Sequence, residues 1–279
     1  MASEARRPVQ TMRPAVEKTY GPDDLSAVPV FAGGFINFGY WRGIDLDGPL
    51  SEDDRVRSQQ DLYRHVLDTA VAVEGRRVLE VGCGLGIGCA LALEEYGPAH
   101  ITGMDIHPQQ LQRARQANAR LLGVRPERLA FVQGAAEDLP FGDEEFDCLY
   151  SVEAAQHFPD LTAFARETAR VLRPGGRAVI TSFFTVDNAP DRADRLAGLL
   201  DSYASGLDIA RPVAHLTDAL TRAGLTHVRA ASIGPDVWQG WDRWLARLWK
   251  PGTWPRNFLR AYRQGLLDYY VIAADRPSR

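Results

Sequence analysis

The sequence predicts an α/β protein built on a doubly wound, mainly parallel sheet, and three observations predict it. The apolar run Val78-Leu79-Glu80-Val81 breaks into Gly82-Cys83-Gly84-Leu85-Gly86-Ile87-Gly88, as a buried strand does when it opens into a tight turn. Glycine there accepts positive φ and lets backbone N–H groups approach a bound molecule. Residues 99–105 form a second short strand-like run that ends in Asp105, the position from which such sheets offer a carboxylate to ribose hydroxyls. Further strand signals follow near 131–133, 145–152 and 176–180, and alternating strands and crossovers give a parallel sheet.

Taken in order, residues 1–50 form an N-terminal extension that holds Tyr20 and the run Val30-Phe31-Ala32-Gly33-Gly34-Phe35-Ile36-Asn37-Phe38-Gly39-Tyr40-Trp41. That run is too aromatic for a solvated tail and needs an apolar partner, either the body of the domain or a ligand beneath it. Residues 51–279 form the main domain. Val56, Leu62, Val66 and Ala70, with Arg and Gln between them, predict an amphipathic helix over 55–72. Residues 131–141 read as a strand followed by a loop, and 145–157 as a strand running into a helix or loop that carries His157. Val171-Leu172-Arg173-Pro174-Gly175-Gly176 gives a helix end and a turn before a fifth strand. One insertion, 185–213, holds a helical stretch over 191–204. A helix over 214–223 ends at Gly224, and a strand covers 226–233. A second insertion, 235–265, is rich in tryptophan; Trp238, Trp241, Leu245 and Leu248 recur at helical spacing and make one apolar face. The last strand spans 267–274.

Two cofactor classes use glycine turns of this kind. The dinucleotide fingerprint needs glycine or alanine five residues after its first glycine. Counted from Gly82, Gly84 and Gly86, that position holds Ile87, Cys89 and Leu91, so every register fails. An acid two residues before Gly-x-Gly-x-Gly is met in full by Glu80, Gly82, Gly84 and Gly86. On these residues the chain resembles the class I S-adenosylmethionine (SAM)-dependent methyltransferases. The resemblance implies a Rossmann-like sheet of seven strands with the last antiparallel, and SAM as cofactor. It implies a cofactor set of Glu80, Gly82, Gly84, Gly86, Asp105, Ile106, Ala136, Glu137 and Ser151, with Gln59 or Gln60 reaching the SAM carboxylate. Asp105 is the ribose ligand in this reading; an N-cap before His107-Pro108 is the alternative. Many relatives carry Asp or Asn where this chain has Ala135, so the adenine contact falls to Glu137 or to backbone.

Methyl transfer asks for an acceptor held in line with the sulfonium, exclusion of water, and a base where the acceptor has a proton to lose. His157 follows the fourth strand at the carboxyl edge of the sheet and suits that base. Sugar, sterol and tocopherol methyltransferases carry a histidine in the matching place. Glu153, four residues earlier, orients the imidazole if both lie on one helical face. The tryptophans of the second insertion favour a hydrophobic small-molecule acceptor. The aromatic load, and a likeness to natural-product terpenoid C-methyltransferases of the teleocidin-pathway kind, lean toward C-methylation of a prenyl or terpenoid chain, coupled or not to cyclisation. The alternative is O-methylation of a hydroxyl on a glycosylated, phenolic or polyketide natural product. A SAM-binding scaffold without transfer is the non-enzyme alternative, and the intact turn, Asp105 and His157 speak against it.

Composition sets outer bounds. The 279 residues are 45% hydrophobic and carry a net charge of −4, so the chain offers no basic stripe for a phosphate backbone and nucleic acid is excluded as a partner. The start Met-Ala-Ser-Glu-Ala-Arg-Arg has no apolar core segment, and no run approaches the length of a membrane span, which predicts a cytoplasmic protein. Cys83, Cys89 and Cys148 have no metal or disulfide spacing and read as small apolar fillers, with no metal site expected. Homo-oligomerisation is left open.

Overall fold

The structure is a computed structural model that describes residues 12–279; the N-terminal Met-Ala-Ser-Glu-Ala-Arg-Arg lies outside the described residues. Helix α1 (Pro14–Tyr20) opens the described chain, followed by irregular chain to residue 50. Helix α2 (Glu52–Ala70) starts at a capping box: the Ser51 side chain accepts from the Asp54 N–H at 3.1 Å, and the Asp54 carboxylate accepts from the Ser51 N–H at 2.8 Å. Then come β1 (Arg77–Val81), α3 (Ile87–Glu95), β2 (His100–Asp105), α4 (Pro108–Ala117), α5 (Ala119–Val124), β3 (Leu129–Gln133), β4 (Phe146–Val152), α6 (Leu161–Val171) and β5 (Leu172–Thr185). Helices α7 (Arg192–Ala197), α8 (Asp201–Ala204) and α9 (Val213–Arg222), strand β6 (Thr226–Ser232), helices α10 (Gly234–Leu245) and α11 (Asn257–Arg263), and β7 (Leu267–Asp275) complete the chain.

The seven strands form one open sheet in the order β3-β2-β1-β4-β5-β7-β6. The first five are parallel to their neighbours, and β7 runs antiparallel to both β5 and β6. Chain order therefore reverses at β1, between β2 and β4, which is where doubly wound sheets leave a crevice at the strand carboxyl ends. The pleat divides the core between the two faces. Val78 joins a cluster with α2, α3 and the N-terminal aromatic residues, while Leu79 and Val81 join a cluster with α6 and α9.

The aromatic run of residues 30–41 is threaded between α2 and α10. Tyr40 N–H donates to the Ser58 carbonyl at 2.8 Å and Trp41 N–H to the Asp236 carbonyl at 2.7 Å. Arg55 is buried beneath it, donating to the carbonyls of Val30 and Asn37 and lying 5.0 Å from the Trp241 ring. Burial pulls this guanidinium down to about 9, opposed by the nearby Glu153 carboxyl.

Three expectations change. Pro174-Gly175-Gly176 does not separate helix from strand; it bulges within β5, whose register against β4 jumps from Phe146↔Leu172 to Cys148↔Arg177. The helical stretch 191–204 is two short helices, because the chain turns near Gly198 and carries both Leu196 and Leu200 into the core. Leu248 lies beyond the end of α10 and is 54% exposed, off the apolar face. Among the described residues, no helix is long and apolar enough to cross a membrane.

Candidate active site

The carboxyl ends of β1, β2 and β4 build the first of two joined cavities. Gly82 and Cys83 N–H groups both donate to the Met104 carbonyl, at 2.8 and 3.0 Å, which ties the glycine turn to β2. Gly84 N–H donates to Asp105 Oδ2 at 2.9 Å and His107 N–H to Oδ1 at 2.8 Å. Burial pushes this carboxyl up from its ordinary value while these two bonds pull it down. The cap of α4 is His107, whose Nδ1 accepts from Gln109 N–H at 3.2 Å; Asp105 stays at the cavity wall with lone pairs to spare.

The three glycines of the motif do different work. A Cβ on Gly84, which has φ +51, meets no atom within 4 Å; on Gly82 it falls 2.4 Å from Ala154 Cβ, and on Gly86 2.4 Å from the Phe131 ring. Gly84 thus opens onto the cavity, and a side chain there fills the cradle. Cys83, Ile106, Ala136 and Glu137 also line this cavity. Burial pushes the Cys83 thiol up to about 11, which keeps it a neutral filler. Met12, Arg13, Val16 and Tyr20 cover the cavity from above. That cover is latched: Arg113 donates to the Tyr20 and Gly21 carbonyls at 2.8 and 2.9 Å, and Arg13 donates to the carbonyls of His157, Gly206 and Leu207.

Four residues of the expected cofactor set lie off this wall. Glu80 points to the α2 side of the sheet, where it accepts from Tyr63 Oη at 2.9 Å, Tyr150 Oη at 3.0 Å and Cys89 Sγ at 2.8 Å; burial pushes it up to about 7. Gly86 is packed under Phe131. Ser151 Oγ donates to the Val81 carbonyl at 2.8 Å, bonding β4 to β1. Gln59 turns toward the aromatic run, and its Nε2 donates to the Phe35 carbonyl at 2.6 Å. Gln60 is bound by Arg64 on the outer face of α2.

The second cavity shares Tyr20, Ile36, Glu153 and His157 with the first. Phe31, Phe38, Phe183, Trp241, Trp249 and Phe258 are among its walls. Trp254 also lines it, whereas Trp238 is buried against Phe258 and Tyr269 in the core.

His157 stands at the junction, in a 3-10 turn (Ala155–His157) after β4. Its Nδ1 faces the Leu207 carbonyl at 3.1 Å and Asp208 Oδ1 at 3.2 Å, two acceptors, so Nδ1 carries the proton. Its Nε2 meets Tyr20 Oη at 2.8 Å and Gln156 Nε2 at 3.2 Å. The Gln156 amide is oriented by the Glu153 carbonyl, to which it donates at 2.9 Å, so the nitrogen it presents to the ring is also a donor. The ring therefore holds a lone pair on Nε2 and an anionic partner behind Nδ1.

Glu153 does not orient this ring. β4 ends at Val152 and Glu153 takes φ +47, so residues 153–157 make no α-helical face. Its Oε1 instead accepts from the Phe38 N–H and Tyr269 Oη, both at 2.6 Å, and burial pushes it up to about 7. The orienting acid is Asp208, from the first insertion. No local pattern marks it, since it is brought to the ring across 51 positions of sequence only by the fold of 201–211. Tyr20 was visible as an aromatic residue of the extension, but its pairing with His157 was not.

The open cradle at Gly84 and the carboxylate of Asp105 fit a nucleoside joined through sulfur to an amino acid, as in SAM. The comparisons agree with that geometry. A family profile described as a methyltransferase domain matches residues 79–180. The chain is 35% identical over 190 residues to a fatty-acid O-methyltransferase of Mycolicibacterium smegmatis, covering 67% of each chain. It is 33% identical over 230 residues to the erythromycin 3''-O-methyltransferase of Saccharopolyspora erythraea, covering 77% of this chain and 70% of that one. Its fold superposes with a TM-score of 0.77 on geranyl diphosphate C-methyltransferase from Streptomyces coelicolor A3(2), at 17% identity, covering 95% of this chain and 98% of that one. The sequence motif, the sheet order and these relatives together establish that the chain belongs to the class I SAM-dependent methyltransferases and uses SAM as its cofactor.

Proposed function

We propose that the protein moves the methyl group of SAM onto a hydroxyl oxygen of an apolar small molecule held in the second cavity. The observation that carries this reading is the line Asp208, His157, Tyr20 at the junction of the two cavities. Bound SAM supplies an electrophilic methyl at its sulfonium. A hydroxyl becomes a good nucleophile only as its proton leaves, and a base at the junction meets that need. An acceptor hydroxyl that donates to Tyr20 Oη passes its proton there as Tyr20 hands its own to His157 Nε2. The ring becomes an imidazolium, and Asp208 is placed to stabilise it. Burial raises the Tyr20 phenol above its usual range, so it enters the reaction protonated, as this relay requires. The aromatic walls hold the acceptor and keep water from competing for the methyl. In this reading α1 and the aromatic run close the site over both molecules.

The O-methyl transfers in the names of the two sequence relatives support the reading. One observation favours the second reading, C-methylation of a prenyl chain. Phe38 stacks on Trp241 at 4.6 Å between centroids and on Phe183 at 5.6 Å, beside the Glu153 carboxyl, a lining suited to a carbocation. Methyl-labelled SAM with a panel of terpenoid, phenolic and macrolide alcohols separates the two. The expected product is a methyl ether; label found on carbon overturns the oxygen reading.

A further inference from the structure

The charges around the second cavity bear on what its ligand carries. Its acidic lining residues are Glu153, Asp201 and Asp208, and among the described residues no lysine or arginine lines it. Arg55, Arg13 and Arg256 lie close behind its walls, and each is engaged elsewhere; Arg256 is paired with the Asp242 carboxylate at 2.8 Å and donates to the Trp249 carbonyl. Arg55 sits behind Trp241 with its donors on the Val30 and Asn37 carbonyls and the Ser58 hydroxyl. Arg13 faces the first cavity and spends its donors on three backbone carbonyls. An anion placed among the aromatic walls would give up its water for no counter-charge.

The base makes the same point independently. A carboxylate or phosphate acceptor arrives with its proton already lost and asks for no general base. An alcohol does ask for one, and His157 is backed by a buried aspartate at the junction of the two cavities. On these two observations, and resting on the second cavity being the acceptor site, we propose that the acceptor is an uncharged apolar alcohol. Anionic molecules of the same skeleton, whether carboxylates or prenyl diphosphates, are rejected by the acidic cavity.

Matched series test this with the full-length protein loaded with S-adenosylhomocysteine: geraniol against geranyl diphosphate with and without Mg2+, and C8 to C14 alkanols against the corresponding carboxylates at pH 8. Quenching of the tryptophan fluorescence reads binding, because Trp241, Trp249 and Trp254 line the cavity. Each anion is expected to bind at least about tenfold more weakly than its alcohol. Asp201→Lys, at an exposed position on the cavity wall, is expected to narrow the ratio of anion to alcohol affinity by about fivefold or more. Anions bound as tightly as alcohols, failure of every alcohol to bind, or no effect of Asp201→Lys on the ratio each overturns the proposal. A labelled product methylated on carbon would end the oxygen reading above yet leave this charge order standing, so the two fail separately.

Discussion

Replacing Gly84 by alanine separates cofactor binding from folding, and the geometry of the turn sets the size of each effect. At φ +51 the new methyl costs the fold about 1–2 kcal/mol of backbone strain. Nothing within 4 Å resists it, so no packing penalty is added, and for a chain of this size the melting temperature should fall by about 2–8 °C. The methyl then stands in the space the cofactor fills. Overpacking of about 1–3 kcal/mol in the complex alone corresponds to a loss of roughly 5- to 150-fold in SAM affinity. Alanine at Gly82 or Gly86 meets Ala154 Cβ or the Phe131 ring at 2.4 Å. Those variants should therefore lose stability by about 1–3 kcal/mol beyond the strain. Differential scanning fluorimetry and isothermal titration calorimetry on the three variants give the comparison. The reasoning is refuted if Gly84→Ala binds SAM within twofold of wild type, or if all three variants lose stability alike.

Other perturbations follow from the same site. Asp105→Ala should weaken SAM by about 1.5–3 kcal/mol through loss of charge-assisted bonds, read by calorimetry; a loss of a few tenths would mean that Asp105 serves only the turn. Asp208→Asn should lower kcat by about 10- to 100-fold with little change in KM, since the imidazolium formed during transfer loses its anionic partner. An unchanged kcat would leave Asp208 a purely structural residue. Glu80 is held at about 7 in the folded state, against about 4.3 unfolded. The folded protein thus keeps a proton that the unfolded chain has released, and stability contributed by this group falls as pH rises from about 4.5 to 7, by about 4 kcal/mol at most. Glu80→Gln should flatten that part of the Tm–pH curve; an unchanged slope would mean that Glu80 is ionised in place.

The sheet was legible because its signals are local. A buried strand must be apolar along its length, and the turn after β1 must be rich in glycine, so the parallel strands could be placed residue by residue, while the antiparallel last strand followed only from the resemblance to the methyltransferases. The wall of the first cavity was legible in part for the same reason: Gly84, Asp105 and Ile106 follow directly from strand ends. Glu80, Gly86, Ser151 and Gln59 belong to the same neighbourhood but support the wall from behind, and the pleat that decides this cannot be seen in a motif. The partners of His157 were hidden for a different reason. Tyr20 and Asp208 come from the extension and the first insertion, and only tertiary packing brings them to one imidazole. Glu153 was assigned to that ring on a helical spacing that a positive φ abolishes.

The central claim is that His157, through Tyr20, is the base that lets the acceptor lose its proton at the meeting point of the two cavities. His157→Ala, assayed by single turnover with labelled SAM on the alcohol that the wild type methylates, tests it most directly, with SAM affinity measured alongside by calorimetry. The rate of methyl transfer is expected to fall by about 10²–10⁴ while SAM affinity stays within twofold. Transfer at the wild-type rate, with the same product, would contradict the claim and leave positioning of the two reactants as the source of catalysis.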